Sequence, residues 1–121
     1  MTHLIFFSVE PTPEGGITGM DRFPPADVLA AARGHGCELI ICFGGNGRSS
    51  GFSAMTRSPD ARKAFVKKVK QLVKRFKLDG VDYNWVRRRK GRGRRGSNMM
   101  LLSYLMNTLC LTVFCTSASF I

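Results

Sequence analysis

Charge runs out before the sequence does. From Ser97 to Ile121 no side chain is charged, and residues 87–121 contain no acid at all. Histidine is scarce as well: His3 and His35 are the only two. The four cysteines, Cys37, Cys42, Cys110 and Cys115, form no CxxC pair. With no carboxylate or thiol at ligand spacing from a histidine, the sequence predicts no metal site and calls for no cofactor. If residues 37–43 form a strand, Cys37 and Cys42 stand five steps of about 3.3 Å apart, beyond the roughly 7 Å between Cα atoms that a disulfide tolerates. Both read as buried thiols acting as small hydrophobes. A long N-terminal apolar run is also missing. MTHLIFFSVEP has no Lys or Arg before its few apolar residues, and Glu10 and Pro11 follow at once. That is too short for the core of an export signal or for a spanning helix, so it reads as a strand with nothing to direct export.

What is present falls into three regimes. Residues 1–86 carry 12 basic and 8 acidic side chains, residues 87–96 (RRRKGRGRRG) carry 7 basic ones, and residues 97–121 form an uncharged, mostly apolar tail. The net charge of +11 over 121 residues therefore says little about the first regime. This length suits one domain of about 100–150 residues. A closed eight-stranded α/β barrel takes about 250 residues, so a barrel pattern here has to be part of one.

Residues 4–9 (LIFFSV) and 38–43 (ELIICF) are short, nearly continuous apolar runs, as in parallel strands covered on both faces. PPADVLAAAR between them predicts a helix, with Pro24 and Pro25 in its first turn and Gly34 as its C-terminal cap. Residues 59–77 predict a second helix. Ser58 is the candidate N-cap, Pro59 fits the first helical position, and Ala61, Phe65, Val69, Leu72, Val73 and Phe76 share one stripe. Lys63, Lys67, Lys70, Lys74 and Lys77 take the remaining, solvated face. LDGVDYNWV then alternates with period two: Asp79, Val81, Tyr83 and Trp85 point one way, and Gly80, Asp82, Asn84 and Val86 the other. Strand, helix, strand, helix, strand implies a parallel sheet with right-handed crossovers.

The glycine-rich stretch Gly44–Gly51 lacks the Gly-Lys-Ser/Thr ending of a Walker loop and the spacing of a dinucleotide fingerprint. The next helix is expected only near Pro59, too late for its amides to hold a pyrophosphate. Asp82 and Asn84 are more informative. Polar groups on an otherwise apolar strand are costly unless they are hydrogen-bonded or face a polar cavity; at the C-terminal end of a barrel strand such residues usually belong to an active-site floor, the alternative being a strand-end carboxylate that caps a neighbouring loop.

Here the residues resemble a known family. DGVDYNW is similar to the fourth-strand signature of glycoside hydrolase family 18, the chitinase family, written Asp-x-x-Asp-x-Asp-x-Glu. ICFGGNGRS is similar to the third-strand signature, with Cys42, Phe43, Gly44 and Gly45 in place of Ser-x-Gly-Gly. HLIFFSVEP resembles the second strand, and GFSAM with SPDARKAFVKKV the loop and helix between the signatures. The resemblance spans about residues 3–85. It implies an α/β fold, a partial TIM (β/α)8 barrel with three parallel strands and two helices, followed by an unrelated basic and then apolar tail. The implied domains are a partial catalytic domain at 1–86, a polybasic segment at 87–96 and an apolar tail at 97–121.

It also implies binding and hydrolysis of β-1,4-linked N-acetylglucosamine polymers by a substrate-assisted route, with chitin or chitooligosaccharides as partners. Asp79 and Asp82 match the first two acids of the signature and Asn84 stands at the third, which in the family orients the substrate's acetamido group. Gly44 and Gly45 take the substrate-binding positions. Val86 stands where the family has its general-acid Glu, and it has no proton to give, so the resemblance implies an inactive site. It ends between Trp85 and Val86, at the catalytic position, which predicts a truncated or misjoined reading frame. Two other classes follow from the same residues: a non-catalytic, lectin-like chitin-binding protein, and a basic membrane-associated protein with a vestigial barrel segment. The membrane reading rests on residues 97–121, long enough to cross only if several polar groups are tolerated. The basic run has no interleaved aromatic for base stacking, so nucleic acid is not an expected partner. Members of the family are typically secreted, whereas the reading of this N-terminus as a strand leads us to expect no signal peptide in it.

Overall fold

The computed structural model describes residues 2–85 and the strand at 112–114. The polybasic run, Val86 and the rest of the tail lie outside the described residues. The chain forms β1 (His3–Pro11), β2 (Ile17–Thr18), a single 3-10 turn at Met20–Arg22, α1 (Ala26–Gly34), β3 (Glu38–Gly44), α2 (Ser50–Met55), α3 (Pro59–Phe76), β4 (Gly80–Asn84) and β5 (Thr112–Phe114). One sheet runs in the order β2-β1-β3-β4-β5. All neighbouring pairs are parallel except β1 with β2, a two-pair antiparallel hairpin through Glu10 and Pro11.

The alternation read from the sequence sets the two faces of this sheet. Leu39, Ile41 and Phe43 of β3, with Val81, Tyr83 and Trp85 on and after β4, join Phe52, Met55, Phe65 and Val69 of the helices in the main core. Phe43 meets Phe65 edge-on at 5.2 Å between centroids and stacks on Tyr83 at 5.7 Å, while Phe52 stacks on Trp85 at 5.2 Å. Phe52 and Phe65 are fully buried, and each such ring contributes roughly 1.5–3 kcal/mol over an exposed one. The other face carries Ile5 and Phe7 of β1, Ile40 and Cys42 of β3, and Gly80, Asp82 and Asn84 of β4. Ile5 and Phe7 are exposed (48% and 55%), whereas Ile40, Cys42 and Asp82 are buried.

α3 follows its sequence pattern closely. Ser58 Oγ accepts from the Ala61 amide at 3.2 Å, and Pro59 opens the helix. Ala61, Phe65, Val66 and Val69 are buried, and Lys63, Lys67, Lys70 and Lys74 are exposed. The helix ends on Lys77, in the left-handed region at φ 50°, with its amide on the Val73 carbonyl. α1 starts two residues later than its prolines indicate, at Ala26, with Pro25 as its N-cap. It runs through Gly34, and the positive φ of 70° falls on Gly36 instead.

Three elements depart from the three-strand, two-helix expectation. Ser50–Met55 is helical, so a helix begins nine residues before Pro59; its one and a half turns are too short to show a period. Gly51 is buried there, and only glycine fits, because a Cβ would lie 1.8 Å from the Pro11 carbonyl oxygen. Ile17–Thr18 adds a two-residue strand too short for any pattern. Thr112–Phe114, from within the tail, lies parallel along β4, with Thr112 opposite Gly80 and Phe114 opposite Asp82. The outer edge of β4, unpaired in a three-stranded sheet, is therefore occupied along these positions.

Candidate functional site

Parallel strands bring their C-terminal ends to one rim, and β1, β3 and β4 meet there. The register between β1 and β3 shifts between Phe7 and Val9, and the bulged residue, Ser8, lies inward. Ser8 is buried, and its hydroxyl donates to the Gly44 carbonyl at 2.6 Å. Gly44 pairs with Asn84 across to β4, and the Gly45 amide donates to the Asn84 carbonyl at 2.6 Å. Ser49 Oγ closes the turn on the carbonyls of Gly45 (2.9 Å) and Asn84 (3.2 Å).

Glycine is required at both central positions. Gly44 and Gly45 have φ of 93° and 107°, and a Cβ would stand 2.4 Å from the Asn84 carbonyl oxygen and from Phe7 Cζ, respectively. The family resemblance implies a substrate-binding role for both. The structure sets that turn against Asn84, whose side chain lies half-buried on the open face at the rim.

Asp82 sits one step below, buried and in register with Cys42. The two side chains share the face opposite the helices, and the Cys42 thiol donates a hydrogen bond to the Asp82 carboxylate. Burial pushes the thiol well above its usual range; the hydrogen bond to Asp82 and that residue's charge add to the rise, and a backbone contact with Asn84 opposes it. Cys42 is thus a protonated donor that fixes the carboxylate, and among the described residues neither Cys42 nor Cys37 is in a disulfide.

Asp79 is not brought to this group. It lies at the opposite end of the strand, about 10 Å from Asp82 at 3.3 Å per residue. There its Oδ2 accepts from the Leu39 amide at 2.8 Å, and its own amide donates to the Leu39 carbonyl at 2.8 Å. It clips β4 to the start of β3. Val86, in the general-acid position of the signature, lies outside the described residues.

The structure adds residues to the rim that no sequence signal marked. Arg48 Nη1 donates to Ser8 Oγ at 3.3 Å, and its guanidinium lies 6.0 Å from the centroid of the Phe7 ring. Arg22 reaches the same place from the 3-10 turn, donating to the Ser8 carbonyl at 3.2 Å and to Glu10 Oε1 at 3.1 Å. Arg48 Nε stands 3.9 Å from that same carboxylate oxygen. On the helix side, the Tyr83 hydroxyl is buried without a hydrogen-bond partner among the described residues, and burial raises its pKa. Among the described residues, no group of three His, Cys, Asp or Glu side chains could hold a metal ion, and no helix is long and apolar enough to cross a membrane.

Comparison with known proteins places the chain in a family. The sequence profile of the glycosyl hydrolases family 18 matches residues 1–109. A chitinase-like effector of Moniliophthora roreri is 31% identical over 86 residues, covering 69% of this chain and 21% of the relative. A chitinase of Rhizomucor miehei superposes with a TM-score of 0.73 at 23% identity, covering 90% of this chain and 38% of that one. A group IV chitinase of Ostrinia furnacalis, solved with allosamidin, gives a TM-score of 0.74 at 18% identity over 94% of this chain and 35% of that one. The chain thus spans about a fifth of the effector relative and little more than a third of the two chitinase structures, whose similarity shows the partial barrel fold. With both strand signatures, the parallel sheet and the profile match over nine-tenths of its length in agreement, this chain belongs to glycosyl hydrolases family 18.

Proposed function

We propose that the chain keeps part of a chitin-binding groove and lacks hydrolysis. The observation that carries this reading is the placement of Asp82 and Asn84 on one face at the rim, beside the Gly44–Gly45 turn. In the family's substrate-assisted route, a carboxyl group must protonate the leaving oxygen. Asn84 keeps a donor for an acetamido oxygen, and Asp82 is fixed next to it by the thiol of Cys42. Val86 supplies no proton, and transfer from a positioned acid is worth roughly 10²–10⁴-fold. A groove without its acid binds and releases β-1,4-linked N-acetylglucosamine chains unchanged, which is a lectin-like role.

A chitin-bead pull-down of the 121-residue chain tests this, run at low and at high salt. Electrostatic adhesion of a +11 chain is screened at about 1 M salt, where the Debye length is near 3 Å. Retention in high salt that free chitotetraose competes away supports the groove. Retention that disappears with salt refutes it.

A further inference from the structure

The group around Ser8 carries an excess of positive charge that a neutral polysaccharide does not need. Two guanidinia, Arg22 and Arg48, share the single carboxylate of Glu10, at 3.1 and 3.9 Å. Among the described residues neither forms an ion pair with any other acid. Arg22 is exposed but engaged twice, its Nη2 divided between the Ser8 carbonyl and Glu10. Arg48 is committed less. One of its five N–H donors goes to Ser8 Oγ, its contact with Glu10 is beyond hydrogen-bond length, and it remains partly exposed.

Arg48 is also held in place. Its guanidinium lies against the Phe7 ring, an arrangement that favours a cation, and its amide donates to the Gly45 carbonyl at 3.1 Å. Through Ser8 and Gly44 it is joined to the position opposite Asn84. A planar cation with free donors, pre-oriented beside the groove, is suited to a charged oxygen pair on a ligand.

We propose that Arg48 is a specificity residue that receives an anionic substituent on the bound sugar chain, a carboxylate or a sulfate, so that the groove prefers acidic N-acetylated glycans to neutral chitin oligosaccharides. This rests on the groove reading above and narrows its ligand class. Glu10 acts as the counterweight. It holds Arg22 by a hydrogen bond and leaves Arg48 with the charge that faces the ligand.

Isothermal titration calorimetry of the full chain, at fixed ionic strength near 0.15 M, compares three β-1,4-linked tetrasaccharides. One is neutral chitotetraose, one carries a 3-O-lactyl carboxylate on alternate residues, and one is 6-O-sulfated. A charge-assisted contact predicts that at least one acidic glycan binds about tenfold more tightly than the neutral one, and the two acidic arms tell carboxylate from sulfate. Arg48→Gln then brings the acidic and neutral affinities within about twofold, and Arg48→Lys keeps part of the difference. Lys70→Gln removes the same unit of charge from an exposed site on α3 and leaves the preference intact. Equal affinity for all three glycans overturns the proposal while the groove reading stands. A preference that survives Arg48→Gln, or that Lys70→Gln abolishes equally, also overturns it by assigning the effect to overall charge. Binding to none of the three refutes both readings. Binding of an acidic glycan alone, lost in Arg48→Gln, upholds Arg48 and refutes the neutral-chitin groove.

Discussion

The Cys42–Asp82 contact predicts a loss of stability in mild alkali. Cys42 is fully buried, and its thiol is held protonated by burial and by the hydrogen bond to and charge of Asp82. In the unfolded chain the same thiol ionises near pH 8.5. Above that pH the unfolded state releases a proton that the folded state keeps, so stability falls as pH rises, by up to about 1.4 kcal/mol per pH unit for this one group. The contribution is complete below pH 8.5 and is lost upward from there, reaching about 2 kcal/mol by pH 10. Cys42→Ser keeps a donor for Asp82 and does not titrate in this range. Urea titrations followed through Trp85, the only tryptophan and stacked on Phe52, measure both proteins from pH 7.5 to 10. The wild type is expected to lose about 2 kcal/mol more than Cys42→Ser over that range. Parallel pH profiles for the two proteins would refute the reasoning, because the thiol would then be as free to ionise in the fold as outside it.

Lys77 ends α3 at φ 50°, a region that costs a side-chain-bearing residue about 1–2 kcal/mol; Lys77→Gly should raise the urea midpoint by an equivalent of about 1 kcal/mol. Gly44→Ala places a Cβ 2.4 Å from the Asn84 carbonyl oxygen at φ 93°, so a destabilisation on the order of 2 kcal/mol is expected, with glycan affinity lost alongside in the calorimeter. Phe52→Ala empties a fully buried site against Trp85 and should cost about 3–5 kcal/mol, read as a collapse of the urea transition together with a red shift of the tryptophan emission.

The long elements were legible because burial imposes a period. α3 shows an apolar stripe with Ser58 and Pro59 at its start, and β3 is a nearly unbroken apolar run. The period-two reading of β4 put Val81, Tyr83 and Trp85 on the core side and Asp82 and Asn84 on the other, as found. Three short elements were not legible. α2 completes too few turns to repeat, β2 is two residues long, and β5 comes from an apolar stretch whose composition does not tell strand from helix. The site divides in the same way. Asp82, Asn84, Gly44 and Gly45 are within reach of one another because adjacent strands carry them in register. Asp79 belongs to the same signature but is clipped to Leu39 at the far end of its strand. The partnership of Cys42 with Asp82 depends on the β3–β4 register, which neither strand encodes alone. Ser8, Arg22 and Arg48 are gathered by the register shift in β1 and by two turns, where the sequence has no period to show.

Val86 decides whether this site can cleave a glycan, and the direct measurement is turnover of a chitooligosaccharide by the purified 121-residue chain, followed by chromatography of the released sugars. The account predicts no products above the uncatalysed rate, and none from Val86→Glu in the same chain. Protonation is one term among several, and positioning and electrostatic groups elsewhere in a closed barrel supply the others. Products that appear with the purified chain and vanish in Asp82→Ala would contradict it, since this site would then be cleaving glycans without the acid that the account requires.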